Sequence, residues 1–225
     1  MKKYFLLALM FICTLNLSAQ IKKGDFLINA DGRYTKTRST SGVAFNSSGL
    51  IEQNLEVGGA IKYFLSNGFL IGIGLEYNKL KQEKSSFLAS EKFYMREQMD
   101  LKSKVLMPKL YFGYFHNIID RLYINGTLQV GYGKKKTDAT GVIQSADSMF
   151  SSSMRIDPYE MEFDDFDYFK SKLAPGITYF ITERWSVGLD LGGIEYDNTD
   201  WDSDRIHWTV SFDPKYWTFS VGMRL

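Results

Sequence analysis

The sequence predicts an all-β fold: a closed, eight-stranded, antiparallel up-and-down transmembrane β-barrel behind an N-terminal signal peptide. Three observations predict it. Eight segments alternate apolar and polar residues with a period of two, each about ten residues long, the length a tilted strand needs to cross a bilayer. The connections between them alternate long and short. No run after the N-terminus approaches the roughly 20 apolar residues of a membrane-spanning helix, so a chain that crosses a membrane must do so as strands.

The N-terminus is read first because it is expected to be removed. Lys2 and Lys3 form a basic start, Tyr4 to Leu15 is almost wholly apolar, and Leu17-Ser18-Ala19 offers a small residue just before Gln20. That is the three-part pattern of a secretory signal, with a core too short to span a membrane. The expected division is a signal peptide over 1–19 and a barrel over 20–225. Cys13, the single cysteine, lies inside the signal. Disulfides, thiol catalysis and cysteine-based zinc sites are thereby excluded from the mature chain.

The strands follow in order. Phe26, Ile28, Ala30 and Tyr34 alternate with Asn29, Asp31, Arg33 and Thr35. Leu55, Val57, Ile61, Tyr63 and Leu65 face away from Asn54, Glu56, Gly58, Ala60 and Lys62. The third strand sets Phe69, Ile71, Ile73, Leu75 and Tyr77 against Gly72, Gly74, Glu76 and Asn78. The fourth sets Leu106, Leu110, Phe112 and Tyr114 against Lys109, Tyr111 and Gly113. In the fifth, Leu122, Ile124, Leu128, Val130 and Tyr132 oppose Asn125, Thr127, Gln129 and Gly131. In the sixth, Phe169, Leu173, Ile177, Tyr179 and Ile181 oppose Lys170, Lys172, Gly176 and Thr178. Trp185, Val187, Leu189 and Leu191 then oppose Ser186, Gly188, Asp190 and Gly192, and Trp217, Phe219, Val221, Met223 and Leu225 oppose Thr218, Ser220, Gly222 and Arg224.

Short connections are expected at Ser66-Asn67-Gly68, around His116 to Arg121, and at Thr182-Glu183-Arg184. Long loops are expected at about Ser39 to Gln53, Lys81 to Leu101, Lys134 to Tyr168, and Asp197 to Arg205. Short periplasmic turns with longer extracellular loops are the outer-membrane layout. An even strand count leaves both termini periplasmic.

Alternation alone does not say which face is buried, since a soluble barrel also alternates. Two features favour an apolar face turned outward. Aromatic residues gather at strand ends, where Tyr34, Phe69, Tyr77, Tyr132, Trp185 and Trp217 form a candidate interfacial girdle. The polar faces carry glycines and charges of both signs: Glu56, Lys62, Glu76, Lys109, Lys170, Lys172, Asp190 and Arg224 are the expected lumen charge network.

Charge and motifs exclude more than they assign. The chain has 27 basic and 26 acidic residues, so nothing electrostatic points to nucleic acid. Of the two histidines, His116 falls at a short turn and His207 near the start of the last strand. Ser203 with Asp202 or Asp204 could complete a triad around His207, but triads are defined by geometry rather than sequence proximity, and a polar rim histidine is the expectation. Asp157, Glu160, Glu162, Asp164, Asp165 and Asp167, interleaved with Tyr159, Phe163 and Phe166, make the third loop acidic, and Asp200, Asp202 and Asp204 do the same for the fourth. Arg205 and Ser211 occupy the glycine and bidentate-carboxylate positions of an EF-hand, which is rejected. No metal and no cofactor is expected, with looser divalent-cation binding at these loops left open. Asp147-Ser148-Met149 fits a short O-glycosylation pattern.

The Ala19-Gln20 junction, the eight alternating strands and the closing Tyr216-Trp217-Thr218-Phe219-Ser220-Val221-Gly222-Met223-Arg224-Leu225 resemble the outer-membrane β-barrel domain proteins of Bacteroidota, with OmpX and the OmpA membrane domain as architectural relatives. The resemblance implies a terminal assembly signal, Trp217, Phe219, Val221, Met223 and Leu225, read by the barrel-assembly machinery after delivery by periplasmic chaperones. Leu225 stands where such signals usually end in phenylalanine. No peptidoglycan-binding domain is expected beyond it.

The expected function is a non-enzymatic integral outer-membrane protein. Outer-membrane lipids surround its barrel, and the extracellular loops anchor or contact a protein or glycan partner. A narrow porin-like channel or a lipid or small-molecule conduit is the alternative, and a lipid-modifying enzyme centred on His207 a third.

Overall fold

The structure, a computed structural model, describes residues 21–43, 46–90, 93–146, 155–198 and 207–225. The expected signal peptide, the Ala19-Gln20 junction, Asp147-Ser148-Met149, Asp200, Asp202, Ser203, Asp204 and Arg205 lie outside the described residues, as do the side chains of Asp164, Phe166 and His207.

The described chain is almost entirely strand: β1 (Phe26–Val43), β2 (Asn46–Phe64), β3 (Phe69–Ser90), β4 (Phe93–Ile119), β5 (Leu122–Ala146), β6 (Arg155–Phe180), β7 (Trp185–Asp190), β8 (Gly193–Asn198), β9 (His207–Ser211) and β10 (Thr218–Arg224). Every neighbouring pair is antiparallel. The order runs β1 to β6 by successive hairpins, then to β7, β10 and back to β1, so the hydrogen-bonded sheet returns on itself through eight strands. Over the short-turn half, where β1 meets β10, this closure removes the unpaired edges that an open sheet exposes.

The polarity is inverted relative to a soluble protein. Outward positions carry Phe26, Ile28, Val57, Ile61, Ile73, Leu75, Leu106, Leu110, Leu128, Ile177, Val187, Phe219 and Val221, all well exposed. Inward positions of the same strands carry buried Asn29, Arg33, Glu56, Glu76, Lys109, Thr127, Lys170, Lys172, Thr178 and Ser186. Water would not sustain an apolar surface of this extent; hydrocarbon does.

Three expected long loops are corrected. The described residues of these segments, 39–43 with 46–53, 81–90 with 93–101, and 134–146 with 155–168, are the upper arms of antiparallel strand pairs, in register from Val43↔Asn46, Ser90↔Phe93 and Ser145↔Arg155 downward with one shift between Lys135 and Thr137. The reason is physical. Above the apolar band polar side chains stand on both faces of the arms, with Thr137 buried on the inner face, so the apolar–polar alternation that marks a membrane-spanning strand disappears while the backbone ladder continues. Cross-strand polar pairs occupy these arms, among them Gln82 Nε2 donating to Glu52 at 2.9 Å and the Ser103–Thr137 hydroxyl pair at 2.9 Å.

The last two spanning segments are each broken. Between β7 and β8 the backbone turns through Gly192 (φ 90°) and Gly193 (φ 128°), where a Cβ would lie 2.2 Å from the Ser211 carbonyl oxygen and 2.1 Å from that of Leu173; only glycine fits. Between β9 and β10, Asp213 caps a 3-10 turn, Pro214–Tyr216, by accepting from the Lys215 amide. Trp217 therefore does not lie in the final strand as expected. It closes the turn, with its indole N–H donating to the Phe212 carbonyl at 3.1 Å.

Among the described residues β9 pairs with β8 alone, and β1 pairs with β10 only from Leu27 to Gly32. Above Gly32, β1 is bonded to β2 alone among the described residues.

Candidate functional site: the interior of the ring

The inward faces of β1, β2, β3, β4, β6 and β8 converge on one ion cluster. Glu56 is its centre. One carboxylate oxygen accepts from Arg33 Nη2 at 2.5 Å, from Lys170 Nζ at 3.2 Å, and from the amides of Asn54 and Asn78, each at 3.2 Å. Lys170 also reaches Glu195 at 3.2 Å and Glu76 at 4.0 Å. Lys109 is ion-paired to Glu76 and donates to Gln129 at 3.3 Å. Three cations, Arg33, Lys109 and Lys170, thus meet three carboxylates, Glu56, Glu76 and Glu195. A balanced, hydrogen-bonded set is the condition under which buried charge is tolerated.

Inward glycines make the room. A Cβ on Gly131 would fall 2.6 Å from Met107 Sδ and 3.0 Å from Lys109 Cγ, and one on Gly74 would fall 2.9 Å from the Tyr111 ring. The rings and long aliphatic stems cross the interior over these bare backbones.

Below the cluster, Asp31, Lys62 and Asp190 line a cavity of about 30 Å³ together with Tyr111 and Gln129, and the Lys62 ammonium sits 4.8 Å from the Tyr111 ring centroid. Above the cluster a larger cavity of about 370 Å³ opens, lined by Arg33, Glu52, Lys135, Lys172, Asp197 and Tyr216 among others.

The short-turn end is closed by an apolar cluster. Phe64 and Phe180 are fully buried, with Leu27, Leu70, Phe115, Tyr123 and Ile21 around them. Phe64 meets Phe115, and Tyr123 meets Phe180, edge to face at 5.6 Å in each case. Such pairs contribute about 0.5–1.5 kcal/mol each beyond area burial. The Ile21 amide donates to the Tyr123 hydroxyl at 3.0 Å, which ties the N-terminal segment into the cluster.

Of the expected lumen charges, Glu56, Glu76, Lys109 and Lys170 come together in the ion cluster, Lys62 and Asp190 line the small cavity, and Lys172 lines the upper one. Arg224 does not join them. It lies at the short-turn end, 3.8 Å from Asp25 and over the Phe180 ring. The girdle candidates Tyr34, Phe69, Tyr77, Tyr132 and Trp185 point outward and are exposed, whereas Trp217 is half-buried at its turn. Of the terminal residues, Phe219, Val221 and Met223 pair with β1 and β7, and Leu225 exchanges backbone hydrogen bonds with Phe26. His116 is exposed and stacks on Tyr114. Asp157, Tyr159, Glu160, Glu162, Phe163, Asp165 and Asp167 lie along the β6 arm rather than in a loop.

Arg33, Glu195 and Asp31 stand outside the expected charge set, although Asp31 and Arg33 fall on the expected polar face of the first strand. Arg33 had a signal, because its inward position stands directly opposite Glu56 in the β1–β2 register. The aromatic cluster also left a trace: Tyr63-Phe64-Leu65, Tyr114-Phe115 and Tyr179-Phe180-Ile181 break the alternation at the same end of three strands.

An interior that holds ion pairs and an exterior that is apolar describe a sheet closed within lipid. The model of one family, the outer membrane protein beta-barrel domain, matches residues 5–224. The chain belongs to this family. A search of curated proteins found no match. Among solved structures, this outer-membrane β-barrel domain is similar to the N-terminal β-barrel domain of OprF from Pseudomonas aeruginosa, at 13% identity over 91% of this chain and 100% of that one, with a TM-score of 0.38. It is similar to OprG of the same organism at 14% identity, over 92% and 98%, with a TM-score of 0.43. For Ail, the attachment invasion locus protein of Yersinia pestis, the values are 13% identity, 90% and 99%, and 0.37.

Proposed function

We propose that this chain is a non-enzymatic, integral protein of the bacterial outer membrane: a closed eight-stranded barrel, plugged inside, that anchors its paired hairpin arms on the cell surface. One observation carries the reading. The interior is crossed by the Glu56–Lys170–Glu76–Lys109 ion cluster and closed beneath it by Phe64, Phe115, Tyr123 and Phe180, while the exterior is apolar. Side chains that fill the lumen of a barrel this size leave no continuous water path. The short connections face the periplasm with both termini, and the arms face outward, where they meet a protein or glycan partner. Lipids surround the band, and periplasmic chaperones and the assembly machinery deliver the chain, reading Phe219 to Leu225.

Refolding into phosphatidylcholine vesicles followed by unheated gel electrophoresis tests the membrane reading, with a fast-migrating, heat-modifiable band as the expected result. Planar-bilayer recording tests the plug, and stable open-channel steps from the native protein would favour a narrow pore instead. Protease added to intact cells should cut the arms and spare the short turns. Deleting Phe219 to Leu225 should abolish the heat-modifiable band in cells. A lipid A profile unchanged by His207→Ala is the expected result for a protein without lipid-modifying activity.

A further inference from the structure

The outward face of β3, β4 and β5 changes character abruptly above its apolar band. Tyr77, Leu106 and Lys134 lie side by side on one rung of the sheet. The next rung is Lys79–Lys104–Lys136, and the one above is Lys81–Lys102–Asp138. Six lysines therefore occupy three successive rungs of three adjacent strands, spaced about 4.8 Å apart across the sheet. Like charges directly opposite on neighbouring strands destabilise a ladder, so this register needs a compensating anion.

The protein supplies it only at the margins. Lys81 is held by Glu83 at 2.6 Å, and Lys136 lies 3.8 Å from Asp165. Asp138 stands opposite Lys102 and Asp167 opposite Lys134 in register, neither within ion-pair distance. Lys79 and Lys104, at the centre of the patch, are exposed and have no carboxylate within reach among the described residues. The patch is local. On β9 the outward residues Trp208 and Val210 are apolar, and on β6 Asp165 and Asp167 are acidic.

We propose that this lysine patch is a binding site for lipid headgroups with net negative, phosphate-borne charge in the leaflet at the arm end of the barrel. The inference rests on the membrane reading above, which places the Tyr77–Leu106–Lys134 rung at the edge of the hydrocarbon and the adjoining rung at headgroup depth. Tyrosine at the boundary and lysine just beyond it are the residues that suit that depth. The ammonium groups act as point charges toward phosphate, and each gains from lying near an anionic surface. The apolar tails of the same lipids lie against Leu106, Leu110 and Leu75 below.

The test compares the native protein with the Lys79→Gln/Lys104→Gln/Lys136→Gln variant. Each is refolded into phosphatidylcholine vesicles, and into the same vesicles doped with phosphatidic acid. The half-life of the heat-modifiable band at a fixed elevated temperature is read in each. In neutral vesicles the variant should last as long as the native chain or longer, because like-charge repulsion is relieved. Phosphatidic acid should lengthen the native half-life on the order of tenfold and leave the variant nearly unchanged. Free inorganic phosphate in place of the doped lipid should not reproduce the gain. Equal lengthening in native and variant protein, or an equal effect of free phosphate, overturns the headgroup site alone. Failure of the native chain to give the band in neutral vesicles overturns the membrane reading and the site with it.

Discussion

Arg33 and Glu56 stand directly opposite each other on β1 and β2, and the guanidinium Nη2 lies 2.5 Å from the carboxylate in the buried interior. Glu56 is also the partner of Lys170, so two buried cations depend on one carboxylate. Removing one member of a buried ion set leaves uncompensated charge and costs about 3–5 kcal/mol. Glu56→Gln should lower folding stability by that amount, measured by urea unfolding in vesicles. Replacing Arg33 and Glu56 together by methionine and leucine should lose less than the single variant. A single variant that unfolds at the native urea concentration would falsify the view that this cluster is an energetic unit.

The aromatic cluster at the short-turn end predicts a different signature. Phe64→Ala and Phe180→Ala each remove a fully buried ring, a change that costs about 3–5 kcal/mol where the cavity cannot collapse. Neither belongs to the Glu56 cluster, and Phe180 meets only Arg224 of the separate Asp25 pair at the short-turn end, so their losses should add to that of Glu56→Gln, as expected for separated sites. The same variants should admit a water-soluble quencher to the environment of Tyr123 from the short-turn side. Unchanged stability in both would place the closure of the interior elsewhere.

The arms offer a local test. Tyr159 stands opposite Gly141, where a Cβ would come 2.3 Å from its ring, and its hydroxyl donates to Glu97 at 3.0 Å. Gly141→Val must displace the ring. The expected result is faster proteolysis of the β4–β6 arms with an unchanged unfolding midpoint for the ring below. Burial, with the bond to Glu97, also raises the Tyr159 pKa above its ordinary value. A raised pKa stabilises the folded form fully below about pH 10, and that contribution is lost as pH rises through the shifted value. Arm proteolysis should therefore accelerate at strongly alkaline pH in the native protein and not in Tyr159→Phe.

How legible these features were in the sequence depended on what each residue faced. Ile71, Ile73 and Leu75 stand between Gly72, Gly74 and Glu76 with lipid on one side and a polar interior on the other, so alternation revealed them. Lys81, Gln82 and Glu83 have polar surroundings on both faces, so their strand was hidden and looked like loop. Phe64 and Phe180 point inward at positions where the interior turns apolar, and alternation failed there for that reason. Trp217 kept the right spacing for the last strand. The capping Asp213 and the fixed φ of Pro214 instead close a turn before it. Glu195 joined the ion cluster only because Gly192 and Gly193 redirect the strand that carries it.

The unpaired upper edge of β1 leads to the final prediction. From Leu27 to Gly32 this strand is bonded on both sides, to β2 and to β10; from Arg33 to Val43 it is bonded to β2 alone among the described residues. In an antiparallel ladder successive amides point to opposite neighbours. Every second amide above Gly32 therefore points to the free side, while those between them remain bonded to β2. Hydrogen exchange in vesicles should show this as alternation along one strand: protected and unprotected amides in turn from Arg33 upward, with uniform protection from Leu27 to Gly32. Over 76–84, β3 is paired with both β2 and β4 at similar height and should show no alternation. Uniform protection of the upper half of β1 would mean that its free side is paired in the membrane, and β9 would be the strand to examine for its partner.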